Sequence, residues 1–194
     1  TIKGPKVQLD IYRIMLAAGV MQKTEEYMDM AQLSIQAGLP TEAEKVIEKG
    51  KAQKLLFEGP QKDRHARLQN MAMTQIKEKD AQIGQQEAEA KAAPTGDADV
   101  QLGETFWARG QTDKAVEAIQ RGIKKGVKDK DDANLRLGVV YLTAGKRNEA
   151  ANAFKNIAAN SASAQIARLW TLLGSNAVAA AAPAAPAAKA AAKK

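Results

Sequence analysis

Residues 102–110 read LGETFWARG, and residues 137–145, which begin 35 positions later, read LGVVYLTAG. Both stretches contain a Leu-Gly pair, an aromatic residue three positions after that glycine, and a closing glycine. Ala115 and Ile119 recur at the same displacement as Ala150 and Phe154. A constant period of this length indicates a helical repeat, because each unit must bury its apolar face against a neighbouring unit.

Each recurring residue has a mechanical role in a pair of antiparallel helices. Gly103 and Ala115 leave no bulky side chain between the two backbones, and the larger residues of the pattern fill the space beside them. Gly110 and Gly145 follow the last turn of a first helix, where a left-handed residue ends the helix and reverses the chain. The spacing therefore predicts two helix–turn–helix units after Gly96.

These motifs resemble the tetratricopeptide (TPR) family, whose pattern runs Leu-Gly-x-x-Tyr in the first helix and Ala-x-x-x-Phe in the second. A third copy lies in register at Tyr27, Gly38 and Ala43. The Trp and Pro of the family pattern are its least strict members, and both are replaced here: Trp by Asp99 and Asn134, and Pro by Leu55, Val127 and Ala162. The resemblance implies an all-α, TPR-like α-solenoid of antiparallel helix pairs. Composition agrees, because aromatic residues are only 4% of the chain.

The chain divides into four segments. Residues 1–58 are expected to hold an N-terminal helix, the second half of a repeat that begins outside this chain, and one degenerate repeat. Residues 59–95 are expected to form a long, atypical charged helix, or a bent pair, that projects at its far end. Residues 96–173 hold the two clear repeats and a C-terminal capping helix in which Trp170 packs as core. Residues 174–194 are an Ala/Pro/Lys tail, predicted to be disordered.

Three local features carry predictions of their own. Thr41 to Glu44 has the form of a capping box that starts the second helix of the N-terminal copy. His65, the only histidine, lies on a charged helix and is predicted to be a surface residue with no special role. A basic run is interpreted either as a solvated helix end, the favoured reading, or as a phosphate contact. Its members are Arg121, Lys124, Lys125, Lys128 and Lys130.

Catalytic chemistry has no visible basis in the sequence. The absence of Cys excludes disulfides and thiolate metal sites. Carboxylates are interleaved with Lys and Arg at helical spacing, which is typical of solvated faces. No Gly-rich phosphate loop, serine elbow or metal-ligand spacing occurs. We therefore predict no enzymatic activity, no cofactor, no metal and no small-molecule substrate.

The resemblance implies a binding surface on first-helix side chains that point away from the second helices. The predicted partner-binding groove consists of Gln32, Gln36, Glu104, Trp107, Leu135, Val139 and Leu142. Trp107 either faces this groove or packs against a neighbouring helix. Leu135, Val139 and Leu142 form an apolar patch for a peptide or helix, unless the helix at residues 61–92 covers part of it.

The predicted function is a non-catalytic scaffold that binds a protein or peptide of unknown identity through this groove. One alternative is a structural protein that self-assembles through its incomplete N-terminal repeat and its charged helix. Another is a basic binder of nucleic acid or an anionic surface, given the net charge of +7. No aromatic residues are interleaved with the lysines to stack bases, which argues against nucleic acid.

Location is indicated only by the general form of the chain. A chain with loose TPR-like copies followed by an Ala-Pro-Lys tail is similar in organisation to exported proteins of Gram-negative bacteria, which implies a periplasmic location. A cytoplasmic location stays open. No apolar stretch is suited to a transmembrane segment, because the Ala-rich tail is interrupted by Pro183 and Pro186.

Overall fold

A computed structural model describes residues 4–181, and side-chain environments through residue 174. Within this range the chain forms nine α-helices, one 3-10 turn at Gly59–Gln61 and no strand, so the all-α prediction is confirmed. The helices are α1 (Pro5–Ala18), α2 (Thr24–Gln36), α3 (Pro40–Ala52), α4 (Lys62–Ala92), α5 (Asp97–Ala108), α6 (Thr112–Lys125), α7 (Lys130–Thr143), α8 (Arg147–Lys155) and α9 (Ala162–Ala181).

The helices of the two clear repeats pack as antiparallel pairs at their glycines. A β-carbon added at Gly103 in α5 would overlap the side chain of Ile119 in α6. In the same way, a β-carbon at Gly138 in α7 would overlap the ring of Phe154 in α8. The predicted close approach is confirmed, because in each pair the large residue of the second helix occupies the space that glycine leaves.

The turns inside these two pairs have the same geometry. Gly110 and Gly145 both have φ +77°, the left-handed conformation predicted for them. The amide of Gly110 donates to Trp107 O at 2.8 Å, and that of Gly145 donates to Leu142 O at 3.0 Å. Backbone amides therefore close the carbonyl ends of α5 and α7.

The long charged segment is one continuous helix of 31 residues, α4. Its first half packs against α2 and α3, where Ala72 is fully buried. Its last turn docks on α5: Ala90 is buried, and Lys125 Nζ donates to the carbonyls of Ala90 at 2.6 Å and Lys91 at 2.9 Å. The prediction of a projecting far end is wrong, because Lys125 holds that end in place.

The second helix of the N-terminal copy begins without the predicted capping box. α3 starts at Pro40, and its N-cap residue Leu39 offers no side-chain hydrogen bond. Proline at the first helical position needs no cap for its missing N–H. Glu44, the acidic member of the predicted box, accepts a hydrogen bond from Gln69 Nε2 of α4 at 3.1 Å instead. The capping-box prediction at Thr41 to Glu44 is therefore wrong.

Helix α9 packs against α7, α8 and α1. Trp170 is buried in this contact, which confirms the prediction that it is core. The helix continues to Ala181, past the predicted end at Leu173. The rest of the predicted tail, residues 182–194, lies outside the described residues.

Candidate functional site

Helix α1 lies against both halves of the chain. It contacts α2, as a preceding second helix would, and it also contacts α9. Leu9 packs in the apolar cluster of α2 and α3, whereas Val7 and Ile14 pack with residues of α7 and α9, among them Leu135 and Val139. The surface formed by the first helices therefore has an amphipathic helix of the same chain bound on it.

Arg13 is the central charged residue of this contact. Its guanidinium donates to both carboxylate oxygens of Glu42, at 2.7 and 2.8 Å. It also contacts Asp10 Oδ1 at 3.1 Å and Glu104 Oε1 at 3.4 Å. Its carbon Cζ lies 5.2 Å from the ring centroid of Trp107. One side chain of α1 thus ties together helices α3 and α5.

Arg136 of α7 forms the second half of the cluster. It donates to both carboxylate oxygens of Asp10, one of them through Nη2 at 2.8 Å. It also donates to Asp132 Oδ1 at 2.8 Å and lies 3.4 Å from Glu104 Oε1. Lys6 Nζ reaches Asp132 Oδ2 at 2.5 Å. We call these seven residues the α1 network: Lys6, Asp10, Arg13, Glu42, Glu104, Asp132 and Arg136.

The α1 network pairs opposite charges, and all of its members except the exposed Lys6 are buried or half-buried. It holds three cations and four carboxylates. Burial lowers the pKa of Arg13, but the carboxylates of Glu42 and Glu104 together outweigh it, so the pKa is raised overall. Burial raises the pKa of Asp132, but Arg136 and Lys6 outweigh it, so this pKa is lowered. Loss of one partner would leave an uncompensated buried charge, which typically costs about 3–5 kcal/mol.

Six of the seven predicted groove residues lie around α1. Gln36 and Glu104 line a cleft of about 430 Å³ beside Lys6 and Arg13. Trp107 borders a second depression, Leu135 and Val139 are buried against Val7 and Ile14, and Leu142 is half-buried in the same cluster. Gln32 is exposed on α2.

Trp107 combines the two positions considered for it. Its ring packs against apolar clusters on both sides, and Nε1 donates to Thr143 Oγ1 at 3.0 Å. It also lines an open depression between α1, α2, α3, α5, α7 and α9. We call this depression the trough. Its volume is about 350 Å³, and its lining includes Met30, Trp107, Trp170, Lys45 and Lys49.

The apolar patch of α7 is covered by α1 and α9. Within the described residues, helix α4 packs against α2, α3, α5 and the 3-10 turn and is bonded by Lys125 of α6, but it does not pack against α7. The alternative that the helix at residues 61–92 covers Leu135, Val139 and Leu142 is therefore wrong. Nothing in the periodicity of the C-terminal repeats indicated that a helix from the other end of the chain would lie there.

His65 is buried, with 1% of its surface exposed. Its Nδ1 accepts the backbone N–H of Phe57 at 2.9 Å, and the two rings meet edge to face. Burial lowers the pKa of His65, and Arg64 lowers it further. The prediction of a surface residue is wrong, because the turn before α4 folds back over the imidazole. In this turn Lys54 and Phe57 both have positive φ, at 58° and 67°.

Two residues of the basic run have internal partners. Arg121 donates to Asp99 Oδ1 at 2.8 Å, and Lys125 lies 2.8 Å from Asp99 Oδ2. Asp99 is fully buried, so these cations neutralise an internal carboxylate. Lys124 is exposed on the same helix. For Arg121 and Lys125 the solvated-end interpretation is therefore wrong, whereas the phosphate contact stays a prediction.

The sequence interpretation missed most of the α1 network, although a signal was present. Arg136 lies between Leu135 and Leu137, inside a helix whose central residues are all buried. Asp10 and Arg13 stand three positions apart on α1, the spacing of neighbours on one helix face. A charged residue within an otherwise apolar stripe indicates a buried partner, but it does not indicate which residue that partner is.

Comparison with protein-family models, curated proteins and solved structures finds no match to this chain. Among the described residues, no cluster of three or more His, Cys, Asp or Glu side chains is arranged to hold a metal ion. No helix in residues 4–181 is both long and apolar enough to cross a membrane.

Proposed function

We propose that this chain is a non-catalytic, TPR-like scaffold that binds a protein or peptide partner along the part of the concave surface of its first helices that α1 and α9 leave exposed. The observation that carries the proposal is α1, an amphipathic helix that lies on this surface. Its apolar residues Val7 and Ile14 pack on α7 and α9, and its charged residues pair with α3, α5 and α7. A surface with these contacts has the chemistry of a helix-binding groove.

The two clear helix pairs support the TPR-like part of the proposal. Gly103 and Gly138 have equivalent roles in close packing, and Gly110 and Gly145 have equal backbone conformations, at the displacement read from the sequence. The paired state of the central carboxylates supports the non-catalytic part. Asp10, Glu42 and Asp132 each accept hydrogen bonds from an arginine, whereas general acid–base catalysis needs a carboxyl group free to exchange a proton.

Site-specific photo-crosslinking tests the location of the partner. The photo-reactive residue benzoylphenylalanine is placed at Gln32 or Gln36 of the full chain, both exposed on the predicted groove side of α2. The matched control position is Lys124, which is exposed on α6. After illumination in nuclease-treated extract of the source cells, we expect one protein adduct of the same mass from both groove positions and none from Lys124.

Other outcomes of this experiment assign the surface differently. An adduct of twice the chain mass would indicate self-association and support the structural-protein alternative. Equal adducts from all three positions, or none from either groove position, would contradict partner binding by the concave surface.

A further inference from the structure

We infer that the trough binds an acidic peptide segment that carries a bulky apolar side chain. This inference rests on the proposed function and names the chemistry of the partner. The large apolar residues that line the trough are Leu16 of α1, Met30 of α2, Val46 of α3, Trp107 of α5 and Trp170 of α9. A volume of about 350 Å³ is at the small end of ligand sites, so one or two large side chains would fill it.

The charge available to a ligand in the trough is positive. Lys45 is exposed and has no ion-pair partner among the described residues. Lys49 donates only to the carbonyl of Leu16, at 3.3 Å. Glu42, the one carboxylate in the lining, already accepts two hydrogen bonds from Arg13. A ligand carboxylate would therefore find two cations, whereas a ligand cation would find no free carboxylate.

Helix ends near the trough do not reverse this balance. α5 and α7 end at Ala108 and Thr143, which both line it, and a helix C-terminus carries partial negative charge. The carbonyls of Trp107 and Leu142 accept backbone amides at these ends. Full charges on Lys45 and Lys49 therefore dominate the field that a ligand meets.

The shape of the trough favours a peptide over a free acyl chain. The depression is partly open to solvent, so a bound alkyl chain would keep part of its length in water and lose that part of the gain from burial. A peptide can place one side chain against the two tryptophans while its backbone stays near the solvent and its carboxylates reach the lysines.

Intrinsic fluorescence gives a direct test, because Trp107 and Trp170 are the only tryptophans in the chain and both line the trough. The probe is a blocked hexapeptide of alternating leucine and glutamate, titrated into the full chain. The control peptides have glutamine in place of glutamate, or alanine in place of leucine. We expect a saturable emission change with the probe and at least about threefold weaker binding of each control, the scale of one exposed ion pair or a lost apolar contact.

Variants of the chain locate the binding site. The double substitution Lys45→Gln, Lys49→Gln is expected to weaken binding of the probe peptide about three- to tenfold, because two exposed ion pairs are lost. Ala17→Glu places a carboxylate in the trough lining and is expected to abolish binding. Ala18→Glu is the matched control, since Ala18 is exposed on the same helix turn outside the lining, and it should bind like the unmodified chain.

The outcomes separate this inference from the proposed function. Equal binding of the glutamine peptide, or no saturable change with the probe, would overturn the inference. Tighter binding of sodium octanoate than of the probe would assign the trough to a lipid carboxylate instead. If the partner is still crosslinked at Gln36 while the probe peptide does not bind, the proposed scaffold function is retained and only the inferred peptide chemistry is overturned.

Discussion

The C-terminal half, α5 to α8, and the N-terminal half, α1 to α3 with the turn that follows, solve the same packing problems differently. In the C-terminal half, helices meet where Gly103 and Gly138 lack side chains, and turns form at glycines. In the N-terminal half, the turn between α2 and α3 also forms at a left-handed glycine, Gly38 with φ +74°. There, however, Arg13 joins α1 to its neighbours, and His65 holds a turn in which Lys54 and Phe57 have positive φ. The glycine contacts repeat with the sequence period, whereas the polar contacts depend on particular partners at other places in the sequence.

The largest expected effect comes from removing the buried arginine that joins α1 to its neighbours. Arg13→Ala leaves Glu42 and Asp10 short of a buried cation, so we expect it to lower the free energy of unfolding by about 3–5 kcal/mol. Urea denaturation followed by circular dichroism measures the change. Lys6→Ala removes a 59% exposed member of the same α1 network and should cost less than about 1 kcal/mol. Equal losses for the two variants would show that burial does not set the strength of these ion pairs.

The next largest effect comes from adding a side chain where α7 and α8 meet at a glycine. The added methyl group of Gly138→Ala would overlap the ring of Phe154, so α7 and α8 must separate, and we expect a loss of about 1–3 kcal/mol. Gly84→Ala is the control, because nothing lies within 4 Å of its added β-carbon in α4. That exposed helix position should gain about 0.5–1 kcal/mol. A neutral Gly138→Ala would contradict the close approach of the pair.

The smallest effect is one of pH. Because the folded-state pKa of His65 lies below its ordinary value near 6.5, the unfolded chain binds the proton first. The contribution of neutral His65 is therefore complete above about pH 6.5 and is lost as the pH falls towards the folded-state pKa, with a slope of at most about 1.4 kcal/mol per pH unit.

His65→Asn isolates this effect, because an asparagine oxygen can accept the N–H of Phe57 but does not titrate. Unfolding free energies of the two chains are compared from pH 7.5 to 5. We expect the unmodified chain to lose stability faster, so that the difference in unfolding free energy between the unmodified chain and His65→Asn becomes smaller on acidification. A constant gap over this range would mean that His65 is not held neutral in the folded state.

The fold was predictable where its cause is local. The period of 35 residues, the glycines at 110 and 145, and the small residues between helices fix α5 to α8, because each acts on its own pair. The position of α1 was not predictable, since it depends on contacts between Arg13, Glu42 and Glu104 that are far apart in sequence. His65 was misread because a neighbouring turn, and not its own helix, buries it.

The length of helix α4 sets the spacing between the two halves. At about 1.5 Å per residue its 31 residues span about 46 Å, and both of its ends are held against other helices. Arg13 meets Glu42 before this helix and Glu104 after it, so the register of the two halves depends on how many residues α4 contains. Residues on its exposed surface can therefore be substituted freely, whereas insertions and deletions in α4 would change the register of the two halves. A single inserted residue would turn one half by about 100° relative to the other.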